Sequence, residues 1–423
     1  MKVYAFVLFL FIVPFEGISQ QKYTLNDCKS LAKDNYPKLQ QAELFESISQ
    51  LRNKNTQSNY LPQIGLKGQA TYQSEVTSID LPETLTEMGF NLDPVSKDQY
   101  KVYLDIKQNI WDGGVTNAQT DLEQASLETN LQKLEIEAQQ LNSIVEGYFF
   151  NILLMDKSIN VLLNQQSVLS KQVEILQKAV SIGAVREKDK MKLEVEQLLL
   201  SQKVDEMRSR KKSLIEMLGV LTGKTFGNED TFELPDVTAD LKNENQRPEI
   251  KLFELQQKQL NYGDQLISSL RNPKFFGFGQ AGYGKPGLNM LRNEFTPYYI
   301  FGIGLNWEVI DWKTSKRNKE INARNREMVA LLKEDFIQKQ QIQLVEAAEK
   351  IEDLKTQLQK DEKLVQMRKS IAESGASELG NGTITSTDYL IDLNAETTAR
   401  INYEIHKIQL TQAKVNYNTL LGY

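Results

Sequence analysis

The stretch Gly183-Ala-Val-Arg-Glu-Lys-Asp189 separates two long segments with helical periodicity. Upstream of it, from Leu131 to Val180, fourteen of fifteen heptad a and d positions are apolar, which is typical of a coiled coil. Gly183 falls at the next d position and predicts a C-cap, and Asp189 predicts an N-cap or first-turn acid of the return helix. The sequence therefore predicts a helical hairpin whose first helix, from about residue 115 to 182, is roughly 100 Å long.

The same landmarks occur twice. An offset of 199 residues relates four pairs: Gly183 and Gly382, Asp189 and Asp388, Asp112 and Asp311, Gly223 and Gly422. An offset of 211 relates two earlier pairs: Pro37 and Pro248, Pro62 and Pro273. The first offset also carries the a series onto apolar residues throughout the second copy. The chain is therefore predicted to be a tandem duplication, with 12 residues fewer between Pro273 and Asp311 in the second copy.

Composition and the N-terminus indicate export. The net charge is −6 and no basic patch stands out, so nucleic acid is not an expected partner. Lys2, the apolar run 3–13 and the small residues around Gly17-Ile-Ser19 predict a signal peptide over residues 1–19. No later apolar stretch approaches about 18 residues, so any membrane span would be formed by β-strands.

Few residues suggest chemistry. Cys28 is the only cysteine, and its distance from the predicted cleavage point favours a buried thiol over a lipid anchor. His406 is the only histidine, which excludes a site built on several histidines within one chain, and we predict it to be a surface residue. The segment Gly277-Phe-Gly-Gln-Ala-Gly282 fits a dinucleotide fingerprint, but it lies in a predicted strand that no helix follows. We predict no catalytic, cofactor-binding or metal-binding residues, and no enzyme.

Each copy contains two segments that alternate as β-strands do. The first pair starts at Pro62 and ends near Trp111, and the second pair starts at Pro273 and continues through Trp307 and Val309. About ten residues per strand suits a tilted transmembrane strand, and a soluble amphipathic hairpin has the same periodicity. Predicted export and fusion to a long helix favour the membrane. Four strands cannot close a barrel and an open edge is unstable in lipid, so the sequence predicts an oligomer.

We therefore predict a mainly α chain with membrane β-strands, a tandem repeat of long coiled-coil hairpins. Its parts are a signal peptide (1–19), a first repeat (20–223), a linker or equatorial layer (224–247) and a second repeat (248–423). Within the repeats we expect β-hairpins at about 62–111 and 273–310, and long helical hairpins at about 115–223 and 314–422.

The order and spacing of these motifs resemble the outer-membrane efflux protein family of the TolC type. The motifs that carry the resemblance are the two Gly-x5-Asp turns, the helix ends Leu-Thr-Gly223 and Leu-Leu-Gly422, the openings Tyr36-Pro37 and Arg247-Pro248, the strand start Leu61-Pro62, and Ile110-Trp-Asp-Gly-Gly114 with its counterpart Val309-Ile-Asp-Trp-Lys313. The resemblance covers essentially the whole chain after the predicted signal peptide.

This resemblance implies a homotrimer in the outer membrane. Twelve strands would form one β-barrel in outer-membrane lipid, and twelve helical arms would form an α-barrel through the periplasm. The partners would be a periplasmic adaptor (membrane fusion) protein and an inner-membrane transporter of the RND or ABC class. Substrates would pass through without chemical change, and no cofactor is implied.

The turns between the helices are the candidate periplasmic tips and gate. The candidate residues are Gly183, Arg186, Asp189, Leu379, Gly382, Ile384 and Asp388. For Asp189 and Asp388, helix capping and a role in gating are both compatible with their positions. The family's tyrosine and arginine latch near the second tip aligns here with Leu379 and Ile384, so closure is expected to be apolar.

Two functions remain open from the sequence. The first is a passive exit duct for efflux or type I secretion. The alternative is a periplasmic coiled-coil scaffold or adaptor without a pore. Adaptors, however, carry one helical hairpin beside a lipoyl-like β-domain, whereas this chain has two tandem copies with strand pairs.

Overall fold

A computed structural model describes residues 21–80, 82–89, 94–227, 230–239 and 244–423. The predicted signal peptide, residues 1–19, lies outside the described residues. In chain order the elements are β1 (Lys22–Tyr23), α1 (Leu25–Asn35), α2 (Gln41–Gln57), a 3-10 turn (Ser58–Tyr60), β2 (Gln63–Tyr72), α3 (Glu83–Glu87), β3 (Asp98–Trp111), α4 (Val115–Ser181), α5 (Glu187–Thr222), β4 (Thr231–Phe232), α6 (Pro248–Leu270), β5 (Lys274–Lys285), β6 (Thr296–Asn306), α7 (Thr314–Gly380) and α8 (Ser386–Leu421). In this part of the chain, none of the helices has the length and apolarity needed to cross a membrane.

The helical hairpins of the two copies have equal lengths. Helices α4 and α7 contain 67 residues each, and α5 and α8 contain 36 residues each. Helix α7 starts at Thr314 and α4 at Val115, and α8 starts at Ser386 and α5 at Glu187, so both starts are 199 residues apart. The offset found in the sequence is therefore kept along both hairpins.

The chain divides into two compact units. Among the described residues, unit 1 contains those within 21–39, 137–247 and 340–423, and unit 2 contains those within 40–136 and 248–339. Helices α4 and α7 contribute residues to both units. The turns between the long helices belong to unit 1, and the strands β2, β3, β5 and β6 belong to unit 2.

The core of unit 1 follows the heptad pattern of α4. Leu141, Val145 and Ile152 are buried in one apolar cluster, and predicted d residues nearer the first turn are buried in a second. Cys28 lies in the first cluster with no exposed surface, which confirms the prediction of a buried thiol. Burial raises the pKa of Cys28 to about 12, so the thiolate that would react is scarcely formed at neutral pH.

The segment predicted as a linker, residues 224–247, also packs against this core. Strand β4 pairs in parallel with β1, and Phe226 and Phe232 contact the first cluster. The ring of Phe232 lies edge-on to Phe149, with centroids 5.6 Å apart. These aromatic residues anchor a segment whose composition alone predicts only an irregular connection.

Two left-handed glycines end the return helices in equivalent ways. Gly223, with φ +68°, ends α5, and a Cβ added to it would lie 2.6 Å from Asn35 Oδ1. Gly422, with φ +97°, ends α8, and its added Cβ would lie 2.5 Å from the carbonyl carbon of Gln246. Asn35 and Gln246 are 211 residues apart, the second offset of the sequence. Each helix end is thus covered by the segment that precedes Pro37 or Pro248.

Unit 2 contains an antiparallel sheet in the order β2-β3-β5-β6. Strands β2 and β6 are its edges, and no other described strand pairs with them. The predicted continuation of the last strand through Trp307 and Val309 is wrong. Pairing with β5 ends at Asn306, opposite Lys274, and the Trp307 indole instead donates a hydrogen bond to the Arg271 carbonyl at 3.1 Å.

Equivalent carboxylates connect the strands to the long helices. Asp112 accepts backbone hydrogen bonds from Gly114 and Thr116, at 3.0 and 2.7 Å. Asp311 accepts the corresponding bonds from Lys313 and Ser315, at 3.0 and 2.9 Å. The side-chain and backbone hydrogen bonds from Ser315, with smaller contributions from Arg271 and the Lys313 N–H, lower the pKa of Asp311 to about 2. The carboxylates thus satisfy backbone N–H groups at the starts of α4 and α7.

Close approach of β3 and β5 requires glycine at position 282. A Cβ added to Gly282 would lie 2.5 Å from the Val102 carbonyl oxygen and 2.8 Å from Tyr103 Cα, atoms that cannot move without shifting the strand. We expect Gly282→Ala to lower the free energy of unfolding by about 2 kcal/mol, because an overpacked site must distort the sheet. Thermal unfolding monitored by circular dichroism measures this change.

Gly279→Ala, in the same strand, is the matched control. Its added Cβ would lie 4.0 Å from the Ile300 carbonyl oxygen, an ordinary contact. Alanine also reduces the conformational entropy of the unfolded chain, so this variant should be neutral or slightly more stable. Equal destabilisation by both substitutions would contradict the close approach at Gly282.

Candidate functional site

One face of the sheet is apolar across all four strands. Register places on this face Ile64, Leu66, Ala70 and Tyr72 of β2, Tyr100, Val102, Leu104 and Ile106 of β3, Phe275, Ala281 and Tyr283 of β5, and Pro297, Tyr299, Phe301, Ile303 and Leu305 of β6. Leu66, Phe301 and Ile303 are 76, 80 and 75 % exposed, so most of the face is uncovered by the described residues; at one end the Phe295 ring stacks on Tyr283. Its only charged residues, Asp98 and Lys285, lie at strand ends.

Aromatic residues lie near both ends of this apolar face. Tyr72, Tyr100 and Tyr283 are near one end. Trp111 and Phe275 are at the other, with ring centroids 6.0 Å apart. An apolar band between aromatic residues matches what the sequence predicts for strands in lipid.

The opposite face is polar and rich in glycine. It carries the lysines of β2, β3 and the start of β5, together with glutamine, threonine and asparagine side chains. Aromatic rings on this face cover glycines of the neighbouring strand: Phe278 covers Gly302, and Phe276 covers Gly304. The two faces of the sheet therefore suit two different media.

The two turns between the long helices end α4 and α7 in the same way. Gly183 and Gly382 both have φ +74°. The backbone bonds are also the same: Gly183 N–H to Val180 O (3.0 Å), Ala184 N–H to Ala179 O (2.9 Å), Gly382 N–H to Leu379 O (3.0 Å) and Thr383 N–H to Glu378 O (2.9 Å). This is the Schellman arrangement, and it confirms the C-cap predicted at Gly183.

Asp189 is the third residue of α5 and is only 5 % exposed. One carboxylate oxygen accepts a hydrogen bond from Arg186 Nε at 3.1 Å, and Lys192 Nζ lies 3.9 Å from the other. That second oxygen has no hydrogen-bond partner among the described residues. Asp189 is therefore a first-turn acid, and Arg186 occupies the N-cap position without a side-chain capping bond.

Asp388 takes part in a capping box at the start of α8. The N-cap is Thr385, whose hydroxyl accepts a hydrogen bond from the Asp388 N–H at 3.3 Å. The Asp388 carboxylate accepts bonds from the Thr385 hydroxyl and N–H, at 2.7 and 3.1 Å. These bonds lower the pKa of Asp388. The two aspartates that the sequence treats as equivalent thus have different surroundings, one buried and ion-paired, the other exposed and capping.

Leu379 and Ile384 belong to the apolar cluster beneath the turns. Leu379 is 2 % exposed, and Ile384 is half-buried and packs against the same cluster. Tyr389, 1 % exposed, lies in it as well, and burial raises its pKa to about 12. The starts of the two return helices, α5 and α8, are also joined directly, because Lys192 Nζ donates a hydrogen bond to the Thr387 hydroxyl at 2.7 Å. The sequence did not point to Tyr389 or Lys192 as residues of this region.

His406 is not the surface residue that the sequence predicts. It is half-buried, and its Nδ1 lies 2.6 Å from an Asp361 carboxylate oxygen. The pair connects α7 and α8, and its partners are 45 residues apart in the sequence. Within the described residues, no group of three or more His, Cys, Asp and Glu side chains is arranged to hold a metal ion.

The capping box at the second turn can be tested by local hydrogen exchange. Thr385→Ala removes the cap hydroxyl, and we expect the first turn of α8 to lose about 1 kcal/mol of local stability. Amide exchange in that turn should become about fivefold faster, which mass spectrometry of peptides from residues 386–393 measures.

Thr398→Ala is the matched control in the same helix. Thr398 is exposed, and its hydroxyl bonds only the Asn394 carbonyl one turn back. Alanine is the better helix former there, so exchange should not accelerate. Unchanged exchange at residues 386–393 in Thr385→Ala would refute the capping role.

Comparison with known proteins finds a family match over part of the chain and a fold match over most of it. Residues 29–192 match the family described as Outer membrane efflux protein. No curated protein matches the chain. The fold is similar to that of the Campylobacter jejuni CmeC outer membrane channel, with 16 % identity, a TM-score of 0.67, and coverage of 94 % of this chain and 85 % of that one.

Two other solved structures have the same fold. The outer membrane protein VceC from Vibrio cholerae gives 13 % identity and a TM-score of 0.69, over 94 % of this chain and 96 % of that chain. The Neisseria gonorrhoeae MtrE outer membrane channel gives 15 % identity and a TM-score of 0.67, over 94 % and 88 %. Residues 29–192 therefore match the outer membrane efflux protein family, and the chain has the fold of solved outer membrane channels.

Proposed function

We propose that the protein is a passive exit duct in the outer membrane, serving a tripartite efflux or a type I secretion system. Three copies assemble, so that twelve strands form one β-barrel and twelve helical arms form an α-barrel that extends into the periplasm. The duct receives substrates from an inner-membrane transporter of the RND or ABC class through a periplasmic adaptor protein. No bond of the substrate is made or broken.

The apolar face of the sheet is the observation that carries this proposal. It extends over four strands, is mostly uncovered by the described residues, and has aromatic residues near both ends. An exposed apolar surface of this extent marks a contact with lipid or with another protein. The polar opposite face favours lipid on one side and water on the other, as in a transmembrane strand.

Strand directions support closure by several copies. Neighbouring strands are antiparallel throughout, so β2 and β6 run in opposite directions. The β6 edge of one copy can therefore pair antiparallel with the β2 edge of the next copy, a head-to-tail contact that repeats around a ring. Closure removes every free edge, which a sheet in lipid requires.

The alternative function, a periplasmic scaffold or adaptor without a pore, accounts for the helical hairpins only. It leaves the apolar sheet face exposed to water, which is unfavourable, and it gives no role to the polar face. The family match and the fold of outer membrane channels also favour the duct.

Two isoleucines of β6 provide a test of membrane insertion. Ile303 lies on the apolar face and is 75 % exposed, whereas Ile300, three residues earlier, lies on the polar face. We expect Ile303→Lys to reduce outer-membrane insertion strongly, because a lysine facing mid-membrane lipid costs about 2–4 kcal/mol. In the proposed trimer the substitution occurs three times, so the total cost of insertion is about three times larger.

Ile300→Lys is the matched control and should insert normally. Outer-membrane fractionation, the mass of the purified oligomer in detergent, and single-channel conductance in planar bilayers are measured for the wild type and both variants. A conducting wild-type trimer with only Ile303→Lys defective supports the duct. A monomer that does not conduct, with both variants equally tolerated, would establish the scaffold instead.

We further propose that Ile384 helps to close the periplasmic tip. Ile384→Asp places a carboxylate against the apolar cluster under the second turn, and we expect the turn to move outward and the channel to open. Cells that express the variant should become permeable to large antibiotics, and the purified channel should show a higher conductance.

Ile182→Asp is the control at the first turn. Ile182 is 80 % exposed and has no place in the buried cluster, so the same substitution should change neither readout. If Ile182→Asp made the channel leak and Ile384→Asp did not, the role of Ile384 would be contradicted and the gate would lie at the first turn.

A further inference from the structure

Charge is distributed unequally between the two faces of the sheet. Within the four strands, the polar face carries four lysines and one carboxylate: Lys67, Lys101, Lys107, Lys274 and Asp105. Each copy thus has an excess of three positive charges on this face, although the whole chain has a net charge of −6. The sheet is therefore locally cationic in an acidic protein.

The single carboxylate is already engaged. Asp105 forms an ion pair with Lys67 and accepts a hydrogen bond from Gln280 Nε2 at 3.0 Å. No carboxylate among the described residues lies within ion-pair distance of Lys101, Lys107 or Lys274, although Asp105 attracts Lys107 at longer range. Their charges are consequently available to a solute that moves along the polar face.

Packing holds two of these lysines in place. Lys107 Nζ lies 4.5 Å from the centre of the Phe276 ring, a cation–π contact that keeps the ammonium group over the sheet. The stem of Lys101 lies over Gly284, whose added Cβ would be 3.0 Å from Lys101 Cγ. Register places Lys274 and Lys107 towards the end of the sheet with Trp111, and Lys101 towards the opposite end, so the charges span the height of the sheet.

On the basis of the proposed duct, we propose that Lys101, Lys107 and Lys274 form a cationic lining that makes the barrel section favour anionic solutes. In a trimer each position forms a ring of three ammonium groups, and the polar face carries nine excess positive charges, three from each copy. Low-dielectric walls focus such a field into the water between them, which raises the local concentration of anions.

The carboxylates at the helix turns do not oppose this lining with a matching acidic ring. Asp189 is 5 % exposed and ion-paired with Arg186. Asp388 accepts two hydrogen bonds within its own capping box. The lysine rings are thus the largest cluster of unpaired charge on the described strands.

The test is the reversal potential of the purified trimer in planar bilayers that separate two concentrations of KCl. The triple variant Lys101→Gln/Lys107→Gln/Lys274→Gln should shift the reversal potential towards potassium, with the chloride-to-potassium permeability ratio falling at least about twofold. Trimer mass and outer-membrane insertion should stay at wild-type values, because none of the three residues belongs to the apolar face.

Single variants at one end of the sheet provide a matched control. Lys101 lies on the polar face, and Lys285, near the same end, lies on the apolar face opposite Tyr100. We expect Lys101→Gln to shift the reversal potential and Lys285→Gln to leave it unchanged. If the trimer conducts and neither the triple variant nor Lys101→Gln changes the permeability ratio, the cationic lining is overturned and the duct stands. If the wild-type protein forms no channel, the duct fails and the lining with it.

Discussion

The backbone groups along the outer edges of β2 and β6 limit how this protein can exist in a membrane. Each edge presents N–H and C=O groups that pair with no other described strand. In lipid, an unpaired backbone group costs several kcal/mol, and a four-stranded sheet has too few strands to curve back on itself. In the proposed duct, the partner is another copy of the chain, because its edges run in the required direction. Oligomer formation is therefore a condition for insertion in the proposed duct, and the apolar face can reach lipid only after the edges are paired.

The ends of the long helices also have backbone groups without partners inside the helix, and both copies satisfy them in the same way. Asp112 and Asp311 satisfy N–H groups at the starts of α4 and α7, and left-handed glycines end the return helices under the segments that precede Pro37 and Pro248. The second copy keeps the left-handed backbone after Asp311 without glycine, since Trp312 and Lys313 have φ values of +51° and +64°. Residues other than glycine are usually strained in this conformation, and the Lys313 and Ser315 N–H bonds to Asp311 help to hold the segment in it.

Much of this architecture is predictable from the sequence, because its signals are local. Gly183 and Gly382 mark the helix ends, and period-two alternation marks the strands. Alternation extends past the last strand, however, through Trp307 and Val309, and only the absence of a partner on β5 ends the pairing at Asn306. The contact between His406 and Asp361 joins two helices and leaves no local pattern. Likewise, equal spacing makes Asp189 and Asp388 look alike in the sequence, whereas Asp189 pairs with Arg186 and Asp388 forms a capping box with Thr385.

Equal helix lengths have a consequence for how such a duplicated chain can change over evolutionary time. Removing one residue from α4 would rotate everything beyond it by about 100° and turn buried side chains outward. The same loss in α7 alone would shift the turn after α7 relative to the turn after α4. The hydrogen bond between Lys192 of α5 and Thr387 of α8, just beyond these turns, would then be misaligned. Insertions and deletions are therefore tolerated mainly where the copies already differ, in the connection between paired strands, which spans residues 73–97 in the first copy and 286–295 in the second. The helices keep a shared length, and the strand loops are the part of the chain that is free to diversify.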